Sequence, residues 1–349
     1  MTMTEHVFQI SAPKTVGFVP RESQALEPNQ VRLKTIFSGI SAGTELTQYR
    51  GQNPFLEKRW DDDSLMFLPG TPSSAYPLHG VGYEQVGEVI ELGLGVTKLE
   101  IGQVVWGSWG HATHTVQDEA EVCNHLVDPN LNPMLAVFAR IGGIALNPVL
   151  DADIHLGETV AVFGLGVPGL LAAQMARLSG ANVIAIDGIT KRLGLAKSLG
   201  LTVHDFREGS AAQHIKAITN NRGADVTIEL TGSYRALHEA IRSTAYNSRV
   251  IVAGFMPGEG IGLALGEEFH HNRIELVCSQ ISGVGSRVAH RWNRLRLEQT
   301  VMQHAGKGLQ LEPLISHVFK PKDVVQAYKL LDENPAEAVQ VVLDFRDGV

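Results

Sequence analysis

Glu158-Thr-Val-Ala-Val-Phe-Gly-Leu-Gly-Val-Pro-Gly169, an Ala/Leu-rich run, and then Ala181-Asn-Val-Ile-Ala-Ile-Asp187 form the stretch that decides the fold of this 349-residue chain. Thr159–Phe163 is short, apolar and rich in β-branched residues, the pattern of a strand buried on both faces. Gly164, Gly166 and Gly169 follow at once in G-x-G-x-x-G spacing. The first permits a tight turn, the second lets a pyrophosphate approach the backbone, and the third lets helix and strand pack closely. Pro168 falls in the first turn of a helix running on through Leu170–Leu178, where a missing N–H costs little. The start of that helix offers free N–H groups and a partial positive charge to phosphate. Val183–Ile186 is a second strand, and Asp187 closes it 18 residues after Gly169. Three glycines at this spacing are weak evidence alone, and their bland alternative is a glycine-rich turn that binds no nucleotide. The strand before, the helix after and the acid beyond supply the context a dinucleotide requires. Gly164, Leu165, Gly166, Val167, Pro168 and Gly169 are therefore expected to face the pyrophosphate. Asp187 is expected to hold the adenosine ribose and to repel a 2′-phosphate, favouring NAD over NADP. Lys191 and Arg192, close behind it, soften that preference.

Strands and helices alternate beyond Asp187. Helices are expected at Arg192–Leu199, Gln213–Thr219 and Tyr234–Ser243, and strands at Thr202–His204, Asp225–Leu230, Arg249–Gly254 and Ile274–Ser279. Such alternation means a doubly wound parallel sheet with right-handed crossovers. Leu230, Thr231 and Gly232, and likewise Ala253, Gly254 and Phe255, follow later strands and should flank the cofactor, since ligands bind outside the carboxyl ends of the strands. Asn132–Val149 reads as a helix with an apolar stripe leading into this domain. The first 125 or so residues are instead β-rich, with Val31–Ile36, Tyr83–Leu92 and Gly102–Gly107 as strand signals. Short strands split by Gly and Pro indicate a partly closed β-barrel. Residues 51–82 read as a long irregular segment bearing Phe55, Trp60, Phe67 and Tyr76, either a surface excursion or a wall of the substrate pocket. Val288–His304 reads as a helix with a basic start, Arg287, Arg291, Arg294 and Arg296, for which a solvated charged face is favoured over an anion-docking surface.

Composition narrows the function classes. The net charge of −8 argues against nucleic acid as a partner. The first residues, Met-Thr-Met-Thr-Glu-His, carry no secretory signal pattern, and the longest apolar stretch is broken by the glycines of the nucleotide motif. Cys123 and Cys278 are the only cysteines, too few for a four-cysteine zinc lobe or a disulfide framework. A cytoplasmic protein acting on a small molecule, with no membrane partner, is the expectation.

Ser38-Gly-Ile-Ser-Ala-Gly-Thr-Glu45, Gly82-Tyr-Glu-Gln-Val-Gly-Glu-Val89, the nucleotide motif and Gly223-Ala-Asp-Val-Thr-Ile-Glu-Leu-Thr-Gly232 together resemble the medium-chain dehydrogenase/reductase superfamily. The resemblance spans nearly the whole chain. It implies an α/β protein with a GroES-like catalytic domain over 1–128 and 290–349, and a Rossmann domain over 129–289. It also implies a homodimer, NAD(P)-dependent interconversion of an alcohol and a carbonyl, and Arg192 lying along the adenosine. The form of the first motif, with Phe269-His-His-Asn-Arg273 and Ser279-Gln280, is closer to a branch that includes bacteriochlorophyllide hydroxyethyl dehydrogenase. At the three positions where zinc-dependent members carry catalytic ligands this chain has Ser41, Tyr83 and, by a looser alignment, Arg140. None is a good zinc ligand, so no zinc is expected. A site rebuilt from His79, Glu84, His111 and His114 is the alternative, disfavoured because side chains alternate along a strand. Tyr83 then becomes the attractive proton donor, Arg140 the group that holds alkoxide charge, and Ser41, Thr44 and Glu45 relay groups. The competing readings are an NADPH-dependent quinone or enone reductase, a hydroxyethyl dehydrogenase acting on a large tetrapyrrole, and a nucleotide-binding protein without catalysis.

Overall fold

Thr4–Ala12 (β1) and Thr15–Glu22 (β2) open the chain as an antiparallel hairpin, and Gln30–Ile40 (β3) is the strand on which the first unit is built. The computed structural model describes residues 3–348; Met1 and Thr2 of the N-terminal stretch read above, and Val349, lie outside it. A short helix, Thr44–Tyr49 (α1), follows β3, and a small hairpin follows that, Arg59–Asp61 (β4) with Met66–Leu68 (β5). Leu78–His79 (β6) pairs with β1, and Glu84–Leu92 (β7), Val104–Gly107 (β8) and His114–Asp118 (β9) complete the first pass. Glu119–Val122 (α2), a 3-10 turn at Pro133–Val137 and Phe138–Asp151 (α3) lead onward. The stretch 51–82 is thus not wholly irregular. Trp60 faces Phe67 across the β4–β5 pair, and Phe55 packs edge-on against the same ring.

The second unit is a six-stranded parallel sheet. Its strands are Thr159–Phe163 (β10), Asn182–Asp187 (β11), Thr202–Asp205 (β12), Ala224–Glu229 (β13), Thr244–Val252 (β14) and Glu275–Cys278 (β15). They lie in the order β12-β11-β10-β13-β14-β15, the 3-2-1-4-5-6 arrangement of a dinucleotide-binding fold. Helices Val167–Leu178 (α4), Thr190–Ser198 (α5), Ala211–Ile218 (α6) and Tyr234–Ser243 (α7) connect them. Ala161, Phe163, Ile184, Ile186, Ile215 and Ile241 form the core between sheet and helices. The expected strands and helices of this unit are all present, with ends shifted by a few residues. Arg294–His304 (α8) is shorter than the helix expected over Val288–His304; the residues before it form turns, and the Asn293 side chain caps the helix at Arg296 N.

The chain then returns with Ile315–Phe319 (β16), Val324–Glu333 (α9) and Gln340–Asp344 (β17). β17 pairs antiparallel with β3 over Phe37–Ile40, while β9 pairs with β3 over Gln30–Lys34 and β7 takes its other edge. The contacts divide the chain after Arg140 and again before Ile315, rather than at 128/129 and 289/290. Local packing explains both differences. Pro133–Val137 packs on β3, β7 and β8, and α8 sets Val301 and Glu298 against Gly142 and Gly143 of α3, where a larger residue would collide. Pro133–Asp151 is apolar and long enough to cross a membrane by composition, but most of it is buried as core.

The core of the first unit has a charged centre. Glu45, in α1, is 1% exposed. Its carboxylate accepts from the Ser41 amide at 2.9 Å, from His111 Nε2 at 2.9 Å and from the Tyr328 hydroxyl of α9. Tyr328 in turn stacks on Phe8 of β1, with ring centroids 5.1 Å apart. Hydrogen bonds to a buried charge contribute about 1.5–3 kcal/mol each. Tyr328→Phe should therefore destabilise the first unit by about 2 kcal/mol, seen as a lower urea midpoint; an unchanged midpoint would mean that Glu45 does not depend on this donor.

Candidate active site and cofactor cradle

The β3–β7 register sets candidate catalytic residues side by side. Ser38 lies opposite Gln85 and Gly39 opposite Glu84, so Ser41 and Tyr83 extend past the paired ends of the two strands. Gly39 has to be glycine, because the Glu84 carboxyl group fills the place where its Cβ would stand. Beyond that point Ser41 Oγ and Tyr83 Oη meet at 2.5 Å, and Thr44 Oγ1 lies 3.5 Å from the same phenol. Ser41 is buried, Tyr83 half-buried and Thr44 exposed, so three hydroxyls run from the core to solvent. The structure brings together four of the five expected catalytic residues, Glu45 entering through the Ser41 backbone. Arg140 is half-buried at the start of α3, directly after the turn that packs on β3 and β7.

Burial, reinforced by the neighbouring Glu84 and Glu45 carboxyl groups, pushes the Tyr83 phenol well above its usual range. Burial and then the Glu45 charge likewise drive Glu84 far above an ordinary carboxyl group. Glu84 is 1% exposed, takes one hydrogen bond from Gln340 Nε2 at 3.0 Å, and leaves Oε1 without a partner. Glu84 is thereby held in its neutral form.

A second chain of bonds stands behind Glu45, and nothing local in the sequence marks it. Gln85 Nε2 donates to Ser38 Oγ at 3.0 Å, so the serine proton turns to His111 Nδ1, 2.5 Å away. His111 Nε2 then carries the ring proton into Glu45. Both nitrogens of His111 are thereby committed inside the core.

The donor set does not fit zinc. Ser41 and Tyr83 are neutral hydroxyls bonded to each other, whereas zinc takes thiolate, imidazole or carboxylate. The rebuilt site does not assemble either. His111 is locked as described, His79 is exposed on β6 opposite Gln9, His114 meets Thr113 Oγ1, and Glu84 faces Gln340. Among the described residues, His238, Glu267 and Glu268 do bring ligand atoms within 4.8 Å of one another, but they lie in the other unit, and Arg242 already pairs with Glu268 at 3.2 Å.

The cofactor cradle is sterically defined. Gly164 has φ +88°, and a Cβ there would press on Thr231; a Cβ on Gly169 would overlap the Gly164 carbonyl oxygen. Gly166 faces open space, with nothing nearer than Pro168 Cδ at 3.9 Å, and caps α4, whose first turn holds no acidic residue. Val167 and Pro168 form that turn, which leaves backbone N–H groups for a pyrophosphate. Asp187 is more engaged than expected. It accepts from Leu165 N at 2.7 Å, Gly188 N at 2.7 Å and Ile189 N at 2.8 Å, with Arg192 Nη1 at 4.0 Å. It braces the glycine loop, with capacity left on Oδ2 for a ribose hydroxyl. Leu230–Gly232 and Ala253–Phe255 follow the carboxyl ends of β13 and β14. The basic run makes local contacts. Arg287 pairs with Asp153 at 2.9 Å, Arg294 lies 3.9 Å from Glu298, and Arg296 covers the Trp292 ring.

Comparison with known proteins places these features. A family described as zinc-binding dehydrogenases matches residues 168–304, a span that includes none of positions 41, 83 and 140. D-guloside 3-dehydrogenase of Escherichia coli K12 is 29% identical, over 96% of this chain and 98% of that one. L-threonine 3-dehydrogenase of Pyrococcus abyssi is 27% identical over 87% of this chain and 88% of its own. The 2R,3R-butanediol dehydrogenase of Bacillus subtilis superposes with a TM-score of 0.79 at 18% identity, covering 97% and 99% of the two chains. Residues 168–304 thus match the zinc-binding dehydrogenase family, the chain is similar over nearly its whole length to medium-chain, alcohol dehydrogenase-like enzymes, and it is an NAD(P)-dependent alcohol dehydrogenase-like oxidoreductase.

Proposed function

We propose that this chain uses NAD(H) to interconvert a secondary alcohol and its ketone without zinc, with Tyr83 carrying the proton. The observation that supports this most strongly is the 2.5 Å contact between Ser41 and Tyr83, two hydroxyls at positions where zinc-dependent relatives carry ligands. The nicotinamide takes or gives the hydride. Tyr83 donates its proton to the alkoxide oxygen as that charge develops, and Ser41 and Thr44 hold the phenol in line and connect it to solvent. Arg140 supplies positive charge in this scheme. The full-length likeness to D-guloside 3-dehydrogenase supports a sugar-like substrate, with the reacting hydroxyl on the ring. Asp187 at the end of β11 supports NAD over NADP. The local contacts of Arg287 and Arg296 weaken the argument for a large anionic tetrapyrrole.

Tyr83→Phe should slow hydride transfer at least tenfold and leave NADH affinity nearly unchanged. Near-normal turnover in that variant would remove Tyr83 from the reaction.

The direction of the Tyr83 shift gives a pH signature. A phenol whose pKa is raised stays protonated through neutral pH, so ketone reduction should be flat from pH 6 to 9. Alcohol oxidation needs the phenolate, whose population grows about tenfold per pH unit below the pKa. Its kcat/KM should climb steadily towards pH 10, and a plateau near neutrality would point to another base.

Metal content and cofactor titration on one purified sample test the zinc-free reading. We expect well under one equivalent of zinc, activity insensitive to chelator, and tighter binding of NADH than of NADPH. A stoichiometric zinc ion lost together with activity would overturn it.

A further inference from the structure

The 3-2-1-4-5-6 strand order divides the crevice at the carboxyl ends into two halves, with β10, β11 and β12 under one mononucleotide and β13, β14 and β15 under the other. Asp187 and the glycine loop brace the adenosine half. In the nicotinamide half the loops after β13 and β14 are not held by a motif. They are held by one buried residue, Glu229, the last of β13, whose side chain bonds the first loop and packs on the second, and whose main-chain oxygen bonds the second.

Glu229 is 0% exposed. Its Oε1 accepts from Thr231 N at 2.6 Å and from the Thr231 hydroxyl, which closes the first loop into a tight turn. Its main-chain oxygen accepts from both Ala253 N and Gly254 N at 2.9 Å, which ties in the second loop. Thr231 Oγ1 also accepts from Ser233 N at 2.9 Å, and Ser233 caps α7. The two loops touch through Gly254, where a Cβ would stand 2.5 Å from Gly232 N and 2.8 Å from Glu229 Oε2. Glu229 Oε2 itself is buried with no partner. Burial holds the Glu229 carboxyl above the ordinary range, against the opposing pull of the bonds from Thr231.

We propose that Glu229 is a positioning residue that clamps the loops Leu230–Gly232 and Ala253–Phe255 together and so fixes the seat of the nicotinamide half of the dinucleotide. The clamp rests on the dinucleotide reading and concerns a residue that does not itself touch the cofactor.

The test measures dissociation constants for NADH and for AMP on the full-length protein. AMP occupies only the half that Glu229 does not brace. Glu229→Gln keeps the acceptor oxygen and the shape, and should bind NADH within threefold of the parent. Glu229→Ala should weaken NADH at least tenfold and leave AMP within twofold. Should the alanine variant fail to fold, Thr231→Val removes the hydroxyl that bonds Glu229 and accepts from Ser233 N, and should weaken NADH about threefold with AMP unchanged. An alanine variant that binds NADH normally, or loses NADH and AMP equally, would overturn the clamp. So would a glutamine variant as weak as the alanine one, or normal NADH binding by Thr231→Val where the alanine variant does not fold. A parent protein that binds neither ligand would instead overturn the dinucleotide reading on which the clamp stands.

Discussion

The Glu45 carboxylate is the interaction on which the catalytic unit depends. An ion removed from water is tolerated only when hydrogen bonds replace the lost solvation. Here the donors come from three separate parts of the chain: the Ser41 amide at the end of β3, His111 before β9, and Tyr328 on α9. Satisfying Glu45 therefore brings the last helix of the chain back to the first strands. It also fixes the backbone of Ser41, because Glu45 N returns a bond to Ser41 O at 3.1 Å. The apolar packing is arranged to suit. Tyr328 lies between Phe8 and Tyr49, and Phe8 meets the edge of His111. The hydrophobic core and its charged centre are one construction.

That arrangement divides the legible from the illegible. The glycine cradle, the strand before it and Asp187 were readable because every constraint acts within 30 residues, through turns, helix starts and strand ends. The parallel sheet followed from alternation alone. The network around Glu45 was not readable. His111 and Tyr328 lie 66 and 283 residues from it, and a histidine or tyrosine carries no mark that says which acid it will meet. The separation also explains why His111 looked like a metal-ligand candidate. Its chemistry is right, but both its nitrogens are spent on Ser38 and Glu45. The β4–β5 hairpin escaped for a different reason. Its strands are three residues each and their pairing is stabilised by aromatic contacts, not by an alternating pattern.

Two buried acids sit close to Tyr83, and their surroundings are unequal. Glu45 has three donors, from Ser41, His111 and Tyr328, and none of its bonds goes to the phenol. Glu84 has one, from Gln340, and burial holds it neutral. Tyr83 is left with a raised pKa and hydroxyl neighbours on both sides, an environment suited to giving a proton at the moment an alkoxide appears and poorly suited to removing one at neutral pH.

The nucleotide cradle and the hydroxyl pair differ in how far they can be altered. The demand at Gly169 is steric, because a side chain there would occupy the position of the Gly164 carbonyl oxygen. No change of chemistry elsewhere relieves that. In the reaction we propose, the demand at positions 41 and 83 is only that something offset charge on a substrate oxygen. A cation can do it, and so can a hydroxyl proton donor in a dry, preorganised setting. The alternatives are exclusive at the level of the pair: Ser41 is useful here because Tyr83 is at hydrogen-bond distance, and a thiolate beside this phenol, or this serine beside an imidazole, would serve neither chemistry. The β3–β7 register holds both positions together whatever residues fill them. The scaffold therefore lets the pair change as a unit while the nucleotide cradle stays as the backbone dictates.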